Sequence, residues 1–275
     1  MTTFTPATAA GASPSGRVGL RRSGLAWFIA AVVGQGAFVW MILAHYGRLT
    51  LAGDLAGWND KPLIKGYVPG DGMGNAVFAA HVLLAAVVTV GGLLQLIPSL
   101  RRRLPTLHRW NGRLFFVVAY VMAFGGLWLT WVRHTYLSLI SAVAVSLNGV
   151  LIVVFATLAW RLAMRRDLAA HRRWALRAFL VVNGVWFLRI GMMAWMLGTG
   201  GRVGMNNTLS GPVDVVLQFG AYLVPLAVLE LWFRAQDSAR PVLRWAAVGA
   251  LLLAAGVTAL GTVGAVAFMW GPYML

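Results

Sequence analysis

The chain has 275 residues, 60% of them hydrophobic and only 11% charged, with 23 Lys and Arg against seven Asp and Glu for a net charge of +16. A soluble domain would interleave charge along every surface helix; here apolar residues run in blocks of about twenty, the length that crosses a bilayer core of about 30 Å as helix, so the chain reads as a polytopic membrane protein. The cysteine count of zero excludes disulfides, thiolate catalysis and cysteine-based metal sites.

Residues 1–23 are mostly Thr, Ala, Ser, Gly and Pro with three arginines, the composition of a disordered tail. The apolar run that follows is too long for a signal peptide and reads as a retained first span, 24–45. Residues 46–74, including WNDKPLIKGYVPGDGMGN, form a turn-rich connection, read as solvated chain more readily than as a functional lid. Further spans fall at about 75–98, 114–132, 137–160, 175–197, 212–234 and 244–270. These seven runs are too long and too uniformly apolar for barrel strands, so the fold is an all-α helical bundle in which 24–275 is a single transmembrane domain.

Seventeen of the 23 basic residues lie in the tail and in alternate connections on one side of these spans, five lie on the other, and Arg189 lies within a span. The positive-inside rule therefore places the N-terminus in the cytoplasm and the C-terminus outside. Because the arginines hug span ends, the expected partners are the bilayer and anionic lipid headgroups at the cytoplasmic face, and nucleic acid is not among them.

Two cytoplasmic turns resemble each other. Residues 101–113 read RRRLPTLHRWNGR and residues 164–177 read MRRDLAAHRRWALR; an offset of 63 carries His108 onto His171, Arg102 onto Arg165, Arg103 onto Arg166 and Arg109 onto Arg172. The segments 75–132 and 137–197 thus read as a duplicated hairpin giving a four-helix core, with its two ascending helices parallel and diagonal. Thr106 and Asp167 are candidate N-caps, which puts both histidines in a first helical turn, where the helix dipole favours the neutral imidazole that ligates metal. Arg189 follows His171 by eighteen residues, five turns, and so shares its face on a continuous helix. The corresponding face of the third span carries His108, Gly112, Phe115, Ala119, Met122 and Gly126, small or flexible enough for close helix contact or for a flat cofactor.

Other polar residues fall within spans. His81 lies about six residues into the second span, and Arg189, costing at least about 2.5 kcal/mol in hydrocarbon, needs a partner or a wet cavity. Asp214 is the natural partner. Asn148 and Asn183 suit amide bonds between helices, and with His81, Arg189 and Asp214 they outline a polar cavity. Glu230 is expected to pair with an arginine. The tryptophans, among them Trp40, Trp131, Trp195 and Trp270 on one side and Trp110, Trp160, Trp174, Trp232 and Trp245 on the other, form interface belts. Soluble-enzyme motifs are missing, and spans two to five do not read as an inverted repeat with broken helices, the usual sign of a secondary transporter.

The combination of FAAHVLL around His81, LHRWNGRLF and AHRRWALRAF resembles an uncharacterised family of bacterial multi-pass membrane proteins carrying a domain of unknown function, over roughly residues 70–200. That resemblance implies a bacterial inner membrane location. More distantly, the histidines are similar to those of transmembrane di-haem b cytochromes, which implies an axial pair, His108 and His171, on haem iron, with Arg102, Arg165, Arg109 and Arg172 at the propionates. His81 departs from that pattern, since the offset places Ala144 opposite it, and a second haem would need His45 or His134. Three readings follow: haem b electron transfer, a small-molecule transporter or carrier built on the polar cavity, and a structural protein that meets anionic lipid.

Overall fold

The computed structural model describes residues 14–61 and 64–274. Among these residues there is no strand, and the chain forms α1 (Pro14–Met41), α2 (Arg48–Ala52), α3 (Gly72–Leu96), α4 (Pro98–Arg103), α5 (Pro105–Trp131), α6 (Leu139–Met164), α7 (Leu168–Val182), α8 (Gly184–Thr199), α9 (Pro212–Asp237) and α10 (Pro241–Gly264). Six helical stretches are each long and apolar enough to cross a membrane, and α7 with α8 passes the same test as one crossing bent by 57°. The polytopic helical bundle expected from the apolar blocks is the architecture that forms.

The first span starts earlier than composition suggested. Of the expected tail, residues 1–13 lie outside the described residues, but Pro14 onward is helical because Leu20 buries itself against Ala247 and Val248 of α10. At the far end both α1 and α10 widen into π-helical turns, Ile42–Gly47 and Ala265–Trp270.

The two repeated turns differ in build. In the first, Ile97 and Leu104 precede prolines and adopt the non-helical conformations that pre-proline residues favour, so Pro98 and Pro105 each open a helix at N1. Thr106 is consequently not the cap: that position falls to Leu104, and the Thr106 hydroxyl accepts from Arg109 Nη2 at 3.2 Å. In the second turn Arg166 takes a left-handed φ of 60°, and Asp167 caps α7 as expected, accepting from the Ala170 amide at 3.0 Å. His108 and His171 still both stand in first helical turns, their amides bonded to Leu104 and Asp167 carbonyls.

The fifth span is not the continuous helix that was expected. Asn183 (φ −88°, ψ 11°) turns its side-chain amide back onto the Phe179 carbonyl at 2.8 Å, competing with the backbone ladder. At Gly184 a Cβ would lie 2.7 Å from Asn148 Nδ2, so the glycine is what lets α6 approach the break. The five-turn phase linking His171 to Arg189 does not survive this bend.

Around the bundle α3 packs on α5, α5 on α6 and α6 on α7; α8 then meets α10, α10 meets α1 and α1 meets α3, while α9 lies against α6, α7, α8 and α10. The duplicated hairpins are thus consecutive walls of a ring that α1 and α10 complete. Helices α1, α8 and α10 run parallel and close together: Gly34 faces Thr262 and Trp186, Gly261 faces the Ile190 carbonyl, and Gly264 faces Met193 and Leu197.

Candidate functional site

The connection 46–74 caps one end of the bundle, here called the loop end. Trp58 is 2% exposed and packs with Phe78 and Leu129. Asn59 Oδ1 accepts from the Gly66 and Tyr67 amides, and Asn75 pairs with both backbone groups of Val68. Arg133 latches the whole: Nε donates to Asp71 at 2.8 Å, Nη2 to Asn75 Oδ1 at 2.8 Å, and both terminal nitrogens to the Gly66 carbonyl. Its side chain is only 7% exposed. This is a pinned cap, where the sequence suggested a solvated connection.

Two further cations at the loop end, Lys61 and Arg189, have no carboxylate partner among the described residues. Arg189 is half-buried, its guanidinium 5.3 Å from the Phe38 ring, with one bond, from Nη1 to the Val185 carbonyl at 3.3 Å. The Lys61 ammonium lies 3.8 Å over the Tyr273 ring and donates to the Met269 carbonyl at 3.4 Å. Burial, and then the nearby Arg189, push Lys61 down to about 8. The field of Arg189 also reaches Tyr46 and His81. His45, 3% exposed, stands edge-on to both Tyr46 and Tyr273, and its Nε2 has no partner in the protein. His81 lies on the Gly125–Gly126 step of α5, where a Cβ at Gly126 would fall 3.2 Å from its ring; its Nδ1 is buried without a partner.

The expected pairing of Arg189 with Asp214 does not form. Asp214, 2% exposed, accepts from the Asn206 amide at 2.8 Å and the Gly211 amide at 3.1 Å; it closes the turn before α9 because those orphan amides at a helix start are nearer than any guanidinium. Asn148 and Asn183 belong to the break between α7 and α8, away from the loop. The expected polar cavity therefore resolves into His81 and Arg189 at the loop end, a capping aspartate, and an amide pair at a bend.

At the opposite, arginine end, Arg102, Arg109, Arg165 and Arg172 are exposed. Glu230 pairs with an arginine as expected, accepting two bonds from Arg177 at 2.7 and 2.9 Å. His171 Nδ1 bonds to the Ala159 carbonyl at 2.8 Å, which leaves Nε2 with a free lone pair. His108 Nδ1 is buried with no partner. The two imidazoles are within each other's electrostatic reach, and the aromatic rings of Phe115, Phe116 and Trp160 pack beside them. Among the described residues no cluster of three or more His, Asp or Glu could hold a metal ion.

A family model described as a predicted membrane protein of the DUF2306 family matches residues 78–233, which spans α3 from Phe78 to nearly the end of α9. The chain belongs to the DUF2306 family of predicted membrane proteins. No curated protein and no solved structure matches it. The DUF2306 match takes in His81, both arginine-rich turns, the helix break and Arg189, whereas Tyr46, Lys61 and Tyr273 lie on elements flanking it. Those three were missed as site residues in the sequence. Their signal is faint: a lysine in a long connection and tyrosines just beyond two apolar runs, readable as a site only once α1 and α10 are known to lie against α8. Trp270, assigned to an interface belt, is instead fully buried, 5.4 Å from Phe38.

Proposed function

We propose that this integral membrane protein binds a small organic anion beneath its loop cap and acts as a carrier for it. The observation that carries this reading is Arg189: a guanidinium within a span, with no carboxylate partner among the described residues, whose field reaches a second cation, Lys61. Two like charges brought together under a cap repel each other, and a buried cation without a counter-ion is costly. An anion between them relieves both costs, and the Tyr46 hydroxyl, within the field of Arg189, is a neutral donor beside them. The break between α7 and α8, five residues before Arg189, supports the carrier assignment, because carriers commonly place their sites beside discontinuous helices.

The test is the melting temperature of the purified protein in detergent, with sodium acetate, succinate or phosphate replacing chloride at constant ionic strength. At least one of these anions should raise it in a saturable way, and Arg189→Gln should abolish the rise. A protein that responds to none of them, or an Arg189→Gln variant that responds as the parent does, would refute the reading.

One observation favours a second reading, haem b between His108 and His171. The Nδ1 of His171 is held by a backbone carbonyl, as in many ligating histidines. The donor set fits only in half, because the His108 Nδ1 lacks such an acceptor and Arg102 and Arg165 face outward. The exposed arginines suit anionic lipid headgroups equally well. An absorption spectrum after expression with haem supplied decides between them: low-spin bands lost in both His108→Ala and His171→Ala support haem, and a colourless protein ends that reading.

A further inference from the structure

Where α1, α8 and α10 meet, one turn below Arg189, three uncharged polar side chains are fully enclosed. Gln35 is 0% exposed, Trp186 1% and Thr262 7%. Gly34, next to Gln35, packs against both others: a Cβ there would fall 2.8 Å from the Trp186 ring and closer still to the Thr262 hydroxyl. None of the polar atoms is satisfied. Both ends of the Gln35 amide, the Trp186 Nε1 and the Thr262 Oγ1 lack any partner among the described residues. Threonine in a helix ordinarily bonds the carbonyl one turn back; Thr262 does not.

An unbonded amide, indole N–H and hydroxyl in one membrane interior carry a large combined penalty, since each has given up its bonds to water without gaining a partner. Apolar residues of the same shape would remove it. Water removes it too: a buried water makes two to four hydrogen bonds to such groups, and here the donors and acceptors stand on three adjacent helices. The cluster also lies on a line with the loop-end site. Trp186 precedes Arg189 by three residues on α8, and Gln35 precedes Phe38, the ring beside Arg189, by three on the parallel α1; each step is a rise of about 4.5 Å.

We propose that Gln35, Trp186 and Thr262 form a water-binding site that continues the loop-end site inward, so that an aqueous half-channel enters the bundle under the cap and ends between α1, α8 and α10. Its mouth carries Lys61 and Arg189, so it admits small anions in preference to small cations. The proposal does not depend on which anion the protein carries, or on whether it carries one.

The chain has no cysteine, so single-cysteine variants report without a background. Thr262→Cys is close to isosteric. In proteoliposomes it should react with an anionic methanethiosulfonate reagent at least about tenfold faster than Ala123→Cys, which is buried in an apolar cluster, because a thiol in apolar surroundings stays protonated and inert. It should also outpace Val33→Cys, 60% exposed on the apolar surface. A cationic reagent of the same size should react more slowly, and Arg189→Gln should narrow that difference. If Thr262→Cys does not fold, Gln35→Cys reads the same site. Labelling no faster than at Ala123→Cys in whichever variant folds means the cluster is dry and overturns the proposal, whatever the melting experiment gives.

Discussion

The two ends of this bundle handle positive charge in opposite ways. At the arginine end the cations are numerous and most face outward; Arg244, 3% exposed, is bonded to the Ala235 and Ser238 carbonyls, and the ion pair of Arg173 with Asp237 leaves both side chains roughly half exposed. At the loop end there are fewer cations, and beside the exposed Arg48, Lys65 and Arg202 stand Arg133 in a full set of bonds and the half-buried Lys61 and Arg189, which have no carboxylate partner among the described residues. Charge number reports where the membrane boundary is. Half-buried charge without a carboxylate reports where a counter-ion would be stabilised, and the two point to different ends of the molecule.

The largest contrast should come from paired truncations. Arg133→Ala strands Asp71 and releases the cap, and should destabilise the protein by about 3 kcal/mol, whereas Arg173→Ala at the exposed pair should cost under about 1 kcal/mol. Chemical denaturation in mixed micelles measures both; equal effects would erase the distinction between the ends. Somewhat smaller, about 1–3 kcal/mol, should be the loss from Gly261→Ala, whose methyl would press on the Ile190 backbone. Gly256→Ala, where nothing lies within reach of a Cβ, is the control and should be neutral or better.

A subtler contrast lies in pH. Lys61 has a folded value of about 8 against an ordinary 10.5, so between those values the unfolded chain holds more protons and stability should rise with pH. Anion binding needs the charged ammonium and should weaken over the same range. Opposite slopes in melting temperature and in anion affinity between pH 8 and 10 are the signature, and Lys61→Arg should flatten both, since arginine keeps its proton throughout. Least of all should happen on replacing Arg102 and Arg165 together: anion affinity at the loop end should stay within about twofold, because any interaction across the bundle is screened over a Debye length of about 10 Å.

Much of the architecture was legible because the bilayer enforces it: each apolar block became a helix, and the second arginine turn is capped by Asp167. What misled were places where one residue changes the local geometry. Pro105 moved the cap from Thr106 to Leu104, and Asn183 followed by Gly184 broke a span whose composition is uniformly apolar. The loop-end site was half legible. His81 and Arg189 stood out as ionisable residues in apolar runs, but Asp214 was matched to Arg189 on charge alone, and Tyr46, Lys61 and Tyr273 come from segments remote in sequence that only the packing of α1 and α10 on α8 brings together.

The glycine contacts that hold α1 and α10 against α8 also bear on how far the family segment can stand alone. Trp186, Ile190 and Met193, all within residues 78–233, are covered by α1 and α10, both outside that range. A fragment trimmed to 78–233 would present Trp186 and the bare backbone at Ile190 to lipid, so the segment is not a portable module. Co-expressed as separate pieces, α1 and α10 should reassemble on it, and pieces carrying Gly34→Leu or Gly261→Leu should not.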